Sequence, residues 1–272
     1  MIIDFHTHIF PERIATSTIE VLEKRCNIKA STNGMISGLL DSMECCGIDM
    51  SVILPVATKP SQFENIQNFA RMINEQYKGK LLSFSSIHPD CEDFKKELKQ
   101  IADMGFVGIK IHPDYQNVMI DDIRYLRILE YASELGLIII THAGIDIGFP
   151  ELVHCPPDRM RKVLDIIKPK KMVLAHFGGF GQWEEVEELL AGQDVWLDTA
   201  FIFHAITKEQ FMRIYQKHDK SKILFATDSP WSDMKKGVDW INQLPITERE
   251  KEAIFYKNAQ ALLSLTTKDC FR

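Results

Sequence analysis

The run Ile2-Ile3-Asp4-Phe5-His6-Thr7-His8 separates two architectures open to a chain of alternating strands and helices. It begins as an apolar strand and ends in H-x-H. A doubly wound open sheet normally follows its first strand with a glycine-rich phosphate turn, and no G-x-G-x-x-G stands here. A (β/α)8 barrel instead gathers its reactive side chains at the C-terminal ends of its strands. His6 and His8 stand at such an end.

Working outward, short apolar, β-branched runs recur at 51–56, 81–87, 107–111, 137–141, 172–175, 195–197 and 223–226. Their near-continuous hydrophobicity is how strands covered on both faces read. Amphipathic segments at 35–46, 61–78, 93–104, 121–135, 158–167, 182–190, 208–217 and 248–263 lie between and after them. Several end at glycine, which takes the left-handed helix-stop conformation at little cost. About eight strands, each followed by a helix, predict an α/β fold of the (β/α)8 TIM-barrel type as one domain over 1–272. The stretch 10–30, helical at least over 14–26, reads as an insertion after the first strand. No linker marks a second domain.

The chain's 272 residues are 45% hydrophobic and 26% charged, ordinary for a globular protein with a sizeable core. The net charge of −6 gives no electrostatic reason to expect nucleic acid or an anionic membrane as partner. The longest apolar block, 137–140, is far too short to span a bilayer. Six cysteines form no C-x-x-C pair, and the first residues show no basic and apolar leader. The expectation is a cytoplasmic protein with reduced thiols acting on a small molecule; a homodimer is allowed but not specified.

Six of the nine histidines, His6, His8, His88, His112, His142 and His176, fall at strand ends, joined by Asp198 and Asp228. Two imidazoles two residues apart on a strand point to one side and can grip one divalent metal. Taken singly the others have plainer readings: His142 and His176 as hydrogen-bonded structural histidines, Asp228 as a helix cap, Asp198 as a polar strand end. Together, His6, His8, His142, His176 and Asp228 are hard to explain without a metal. Alternation also puts Asp4 beside His6 and His8, where it would orient one of them, and His112 on the face of Lys110. Trp231, Phe177, Phe180, Trp183 and Phe201 follow strand ends and either wall a pocket or pack against loops. Arg13, Lys59 and Arg159 either meet a carboxylate or are solvated charges, and His88, Gln116 and His204 are further candidates for substrate contact.

The motifs D-F-H-T-H (4–8), G-I-K-I-H-P (108–113), T-H-A-G (141–144), L-A-H-F-G-G (174–179), A-T-D-S-P-W (226–231) and K-N-A-Q-A-L-L (257–263) resemble those of the amidohydrolase superfamily of metal-dependent hydrolases. The resemblance is to the amidohydrolase-related branch, which includes the aminocarboxymuconate-semialdehyde decarboxylase group. It implies one or two divalent ions, zinc foremost. His6 and His8 would hold the more buried ion, Asp228 would touch it and shuttle protons, and His142 would bind a metal. His176 would bind one or orient substrate. Lys110 would be either a carbamylated bridge between two ions or an ordinary lysine meeting a carboxylate, and His112 an extra ligand or a substrate contact, with His88 and Trp231 as weaker substrate candidates. The nuclease relatives with the same H-x-H place a glutamate at the fourth strand, where this chain has Lys110. The expected reaction is hydrolysis of an amide, lactone or related carbonyl bond. The alternative is nonoxidative decarboxylation of a small carboxylic acid. A noncatalytic metal-binding barrel is opposed by the complete ligand set.

Overall fold

The structure is a computed structural model in which residues 1–264 are described; Cys270 lies outside them. The chain opens with β1 (Ile3–Thr7), α1 (Glu12–Cys26) and α2 (Ile36–Cys46). There follow β2 (Met50–Ile53), α3 (Phe63–Gln76), β3 (Leu81–Ser83), β4 (Ser85–Ser86), α4 (Phe94–Asp103), β5 (Gly108–Ile111), α5 (Pro113–Gln116) and α6 (Ile123–Glu134). The second half runs β6 (Ile138–Thr141), α7 (Pro157–Ile167), β7 (Met172–Leu174), α8 (Trp183–Leu189), β8 (Trp196–Asp198), α9 (Lys208–Lys217), β9 (Ile223–Leu224) and α10 (Met234–Asn242). It closes on α11 (Glu248–Glu252), a π-helical turn at Ala253–Lys257 and α12 (Asn258–Leu263).

All pairings are parallel, and strand order follows chain order in two ladders, β1 to β3 and β4 to β9. β3 and β4 are the strand predicted at 81–87, interrupted at Phe84, whose N–H still donates to Ile53 O at 2.9 Å. At the other seam Phe5 N–H donates to Phe225 O and Asp228 N–H to His6 O, both at 2.9 Å, and Thr7 bridges Ser229 in parallel. With both seams tied, the strands form a (β/α)8 barrel.

The apolar side chains sort into two shells. Ile3, Phe5, Val52, Phe84, Ile138, Ile140, Val173 and Leu224 pack together inside, with Leu262 and Leu263 of α12 against them. Ile109, Ile111, Leu174 and Leu197 face outward and meet Leu98, Ile128, Val163 and Phe211 of the helices. A barrel so filled is a packed core, not a pore.

Two departures from the sequence reading have physical causes. Helix α10 was not expected, because Gly237 interrupts its pattern; a Cβ there would lie 3.2 Å from Phe203 and 3.3 Å from Thr227, so a side chain would need these neighbours to give by a few tenths of an ångström. In β1, Asp4 pairs with Ser51 but Thr7 pairs with Ile53, one residue more on β1 than on β2. This bulge resets the alternation. Asp4 reaches neither imidazole ring; its carboxylate accepts from the His6 backbone N–H at 3.2 Å, from Thr227 N at 3.0 Å and from Thr227 Oγ1 at 2.5 Å.

Candidate metal centre

His6 Nδ1 lies 2.8 Å from Asp198 Oδ2, and His8 Nδ1 lies 2.8 Å from Leu54 O. A carbonyl or an ionised carboxylate only accepts, so each Nδ1 carries the proton and each Nε2 keeps a bare lone pair. These two Nε2 atoms are 3.1 Å apart, and Asp228 Oδ1 lies 3.5 Å from the first and 3.2 Å from the second. Three electron-rich atoms facing one point repel each other unless a cation sits among them, and here the Lys110 ammonium stands 3.2 Å from His6 Nε2 on one side, leaving His8 Nε2 and Asp228 Oδ1 for a metal ion to join to it. Burial pushes the pKa of His6 well below the ordinary imidazole value, with the charge of Lys110 adding to it, so the ring is the neutral form a metal needs.

His142 and His176 extend the centre. His176 Nδ1 donates to Ala200 O at 2.9 Å, leaving its Nε2 bare, and this Nε2 faces His142 Nδ1 at 3.0 Å. On the far side of the ring, His142 Nε2 has no hydrogen-bond partner, and neither has Asp114 Oδ2, which lies 3.8 Å away. Both atoms are buried. With a cation shared by His142 Nδ1 and His176 Nε2, the His142 proton belongs on Nε2, facing the empty carboxylate oxygen. The orphaned pair therefore fits a loaded centre. Asp114 is itself held, its Oδ1 meeting His154 N at 3.1 Å and Nδ1 at 3.0 Å.

Lys110 is 1% exposed, its Nζ 3.2 Å from His6 Nε2. Burial pushes its pKa down to about 8, against the pull of Asp198 and Asp228. His112 caps α5 and stacks on His142 at 4.2 Å and 8°. Its Nε2 lies 3.5 Å from Asp146 Oδ2, whose carboxyl burial pushes up to about 7. His112, His142 and Asp146 form a second potential donor group. Parallel rings aim their nitrogens side by side and not at one point, so it fits a cation less well than the first.

His176 and Asp228 both adopt left-handed backbone, φ 56° and 68°. Such strain in non-glycine residues persists where neighbours over-determine it and gathers at functional sites. Here Asp198 Oδ1 takes the N–H groups of His176 and Ala200, and Asp228 N–H is fixed on His6 O.

These groups face a cavity of about 780 Å³ lined also by Phe180, Phe201 and Trp231. Other sequence candidates lie elsewhere. His88 does not line the cavity, and its Nδ1 accepts from Asp90 N. Arg159 is in α7 and pairs with Asp121 at 2.7 Å. Gln116 ties backbone carbonyls of Ala57 and Ile87, His204 meets Ser232, Phe177 stacks on Phe211, and Trp183 donates to His176 O. The sequence reading missed Asp114, Asp146 and His154. The last two lie in the long loop between β6 and α7, and a long loop at this face of a barrel was the available signal.

The amidohydrolase family (Amidohydro_2) matches residues 3–265. The chain belongs to the amidohydrolase family. It is an enzyme of that family. No curated protein matches it. A TIM-barrel protein from Bordetella bronchiseptica is 17% identical, with a TM-score of 0.81 over 100% of this chain and 99% of that one. The 2,6-dihydroxybenzoate decarboxylase from Rhizobium is 16% identical, with a TM-score of 0.68 over 97% and 98%. A dihydroxybenzoic acid decarboxylase from Polaromonas sp. JS666, solved with bound manganese and the inhibitor 2-nitroresorcinol, is 15% identical, with a TM-score of 0.72 over 100% and 99%. At these identities the likeness shows the fold. Among the described residues no helix is long and apolar enough to cross a membrane.

Proposed function

We propose that this member of the family is a metal-dependent hydrolase that cleaves an amide, lactone or related carbonyl bond of a small molecule. The observation that carries the reading is the meeting of two imidazole nitrogens that carry no proton and the Asp228 carboxylate at one point, with a second facing pair from His142 and His176. When bound, a divalent ion, zinc foremost, supplies hydroxide-strength water near neutral pH and polarises the carbonyl. Asp228 lies against both His6 and His8, so its carboxylate takes the proton of the attacking water and returns it to the leaving group. Asp198 holds His6 by its Nδ1 and His176 by its backbone, keeping both rings on the same target. His176 meets the metal or the substrate oxygen. Lys110 would either serve a two-ion centre as a carbamate, its neutral amine having taken up carbon dioxide and lost a proton, or meet a substrate carboxylate as an ammonium.

A second reading, nonoxidative decarboxylation of a small carboxylic acid, is favoured by the decarboxylases among the solved neighbours. Turnover of an amide, lactone and carboxylic-acid panel in isotopically labelled water separates the two. Label entering a carboxyl product supports hydrolysis. Carbon dioxide release with no label in a cleaved product overturns it in favour of the decarboxylase.

A further inference from the structure

The cavity is walled on one side by the insertion after the first strand. Arg13, Ile14, Ser17, Thr18, Val21, Leu22, Arg25 and Cys26 of α1 all line it, spaced as one helical stripe, while Ala15 and Ile19 are buried behind. Ile14 and Val21 are 42% and 56% exposed, because what they face is the cavity and not a packed partner. The stripe carries Ile14, Val21 and Leu22 with the hydroxyls of Ser17 and Thr18 between them, and it is cationic at both ends. Elsewhere basic side chains are commonly neutralised, as in Arg124 with Asp90, Arg159 with Asp121 and Arg213 with Glu187. Among the described residues Arg13, Arg25 and Lys59, which also lines the cavity, form no ion pair; the cavity's carboxylates, Asp146 and Asp228, face His112, His6 and His8. This cationic rim belongs to a chain of net charge −6.

Arg25 is the most firmly built of the three. A Cβ at Gly148 would lie 3.0 Å from Arg25 Cδ and 3.1 Å from Cγ, so the stem occupies room that a side chain at 148 would take. Its guanidinium lies 4.9 Å from the ring centre of Phe149 and 5.8 Å from that of Tyr115. The two rings hold the guanidinium in place, Tyr115 also taking a hydrogen bond from it, and the remaining N–H donors of the five-donor fork are left for a ligand.

We propose that the substrate carries, besides the carbonyl group that reacts, a terminal carboxylate held by Arg25 at the rim, with an apolar body lying along Ile14, Val21 and Leu22. The inference rests on the reading of this cavity as the substrate site and adds the substrate class: an amphipathic acid whose charged end points away from the metal centre. Arg13 and Lys59 add field, and Arg25 supplies the paired donors that a planar carboxylate matches.

The test is isothermal titration of the protein as purified with the monomethyl esters of α,ω-alkane dicarboxylates of increasing length and with the matching dimethyl esters. At one chain length the monoester, which keeps the terminal carboxylate, is expected to bind about tenfold tighter than its diester, a preference that shrinks as salt is raised. Arg25→Met should abolish the preference and leave diester affinity unchanged, and Arg25→Lys should keep part of it. Equal binding of monoester and diester at every length overturns the proposal, as does an Arg25→Met protein with native melting that weakens both ligands alike. If that variant fails to fold, the wild-type salt dependence still decides, since a preference indifferent to salt is not made by exposed charges. The readout is binding, so a failure of the hydrolytic reading in labelled water leaves this result interpretable on its own.

Discussion

Each nitrogen of His6 has one role, and the roles are set by what the other nitrogen meets. Asp198 takes the Nδ1 proton, which commits Nε2 to the centre. Replacing Asp198 by Asn keeps the shape but offers a donor in place of an anion, so the ring loses its tautomer preference. Metal affinity is expected to fall about 10–100-fold, read by competition with a chelating dye. Asp4→Asn is the control: its carboxylate meets Thr227 and the backbone N–H of His6 but no ring, so it should cost stability and leave the His6 tautomer, and with it metal affinity, near native. Asp228 has a different task. Asp228→Asn should retain the fold and bind metal while kcat falls about 10²–10⁴-fold; near-native turnover would remove Asp228 from the proton-transfer role.

At the scale of elements, the loop after β6 is shaped by one close approach. Gly144, with φ 83°, bridges Phe180, and a Cβ there would lie 2.1 Å from Phe180 N. Gly144→Ala must therefore strain both the backbone angle and the contact, and its melting temperature should drop by at least about 4 °C. An unchanged melting curve would mean that the loop relaxes freely. That loop also shows what sequence could and could not disclose. Period and strand-end chemistry placed the eight barrel strands, α1 and the residues His6, His8, Lys110, His142, His176 and Asp228 around one cavity. They misplaced Asp4, because a one-residue bulge is invisible to strict alternation, and His88, because a strand end does not say which way its side chain turns. They left Asp146 and His154 unseen, because an aperiodic loop offers no spacing from which to infer what its side chains meet.

On the scale of the whole molecule, the candidate ligands come from four places far apart in the chain: the end of β1, the ends of β6 and β7, and Asp228 beyond β9. Two of these, β1 and the segment after β9, are the sides of the seam where the last strand meets the first. A cation held by His6, His8 and Asp228 therefore cross-links that seam, and it does so only in the folded chain. Mass action then predicts stabilisation by the ion: at a free concentration 100-fold above its dissociation constant the gain is about 2.7 kcal/mol, or about 5–10 °C in melting temperature for a chain of this size. Chelated protein should melt lower by that amount, and zinc or manganese should restore it. His6→Ala should abolish the shift, since it deletes one of three converging atoms, whereas Arg25→Met at the rim should leave it intact. A chelated protein that melts unchanged with either ion, in a fold that still binds the dicarboxylate monoesters, would show that the facing imidazoles serve the barrel without a metal.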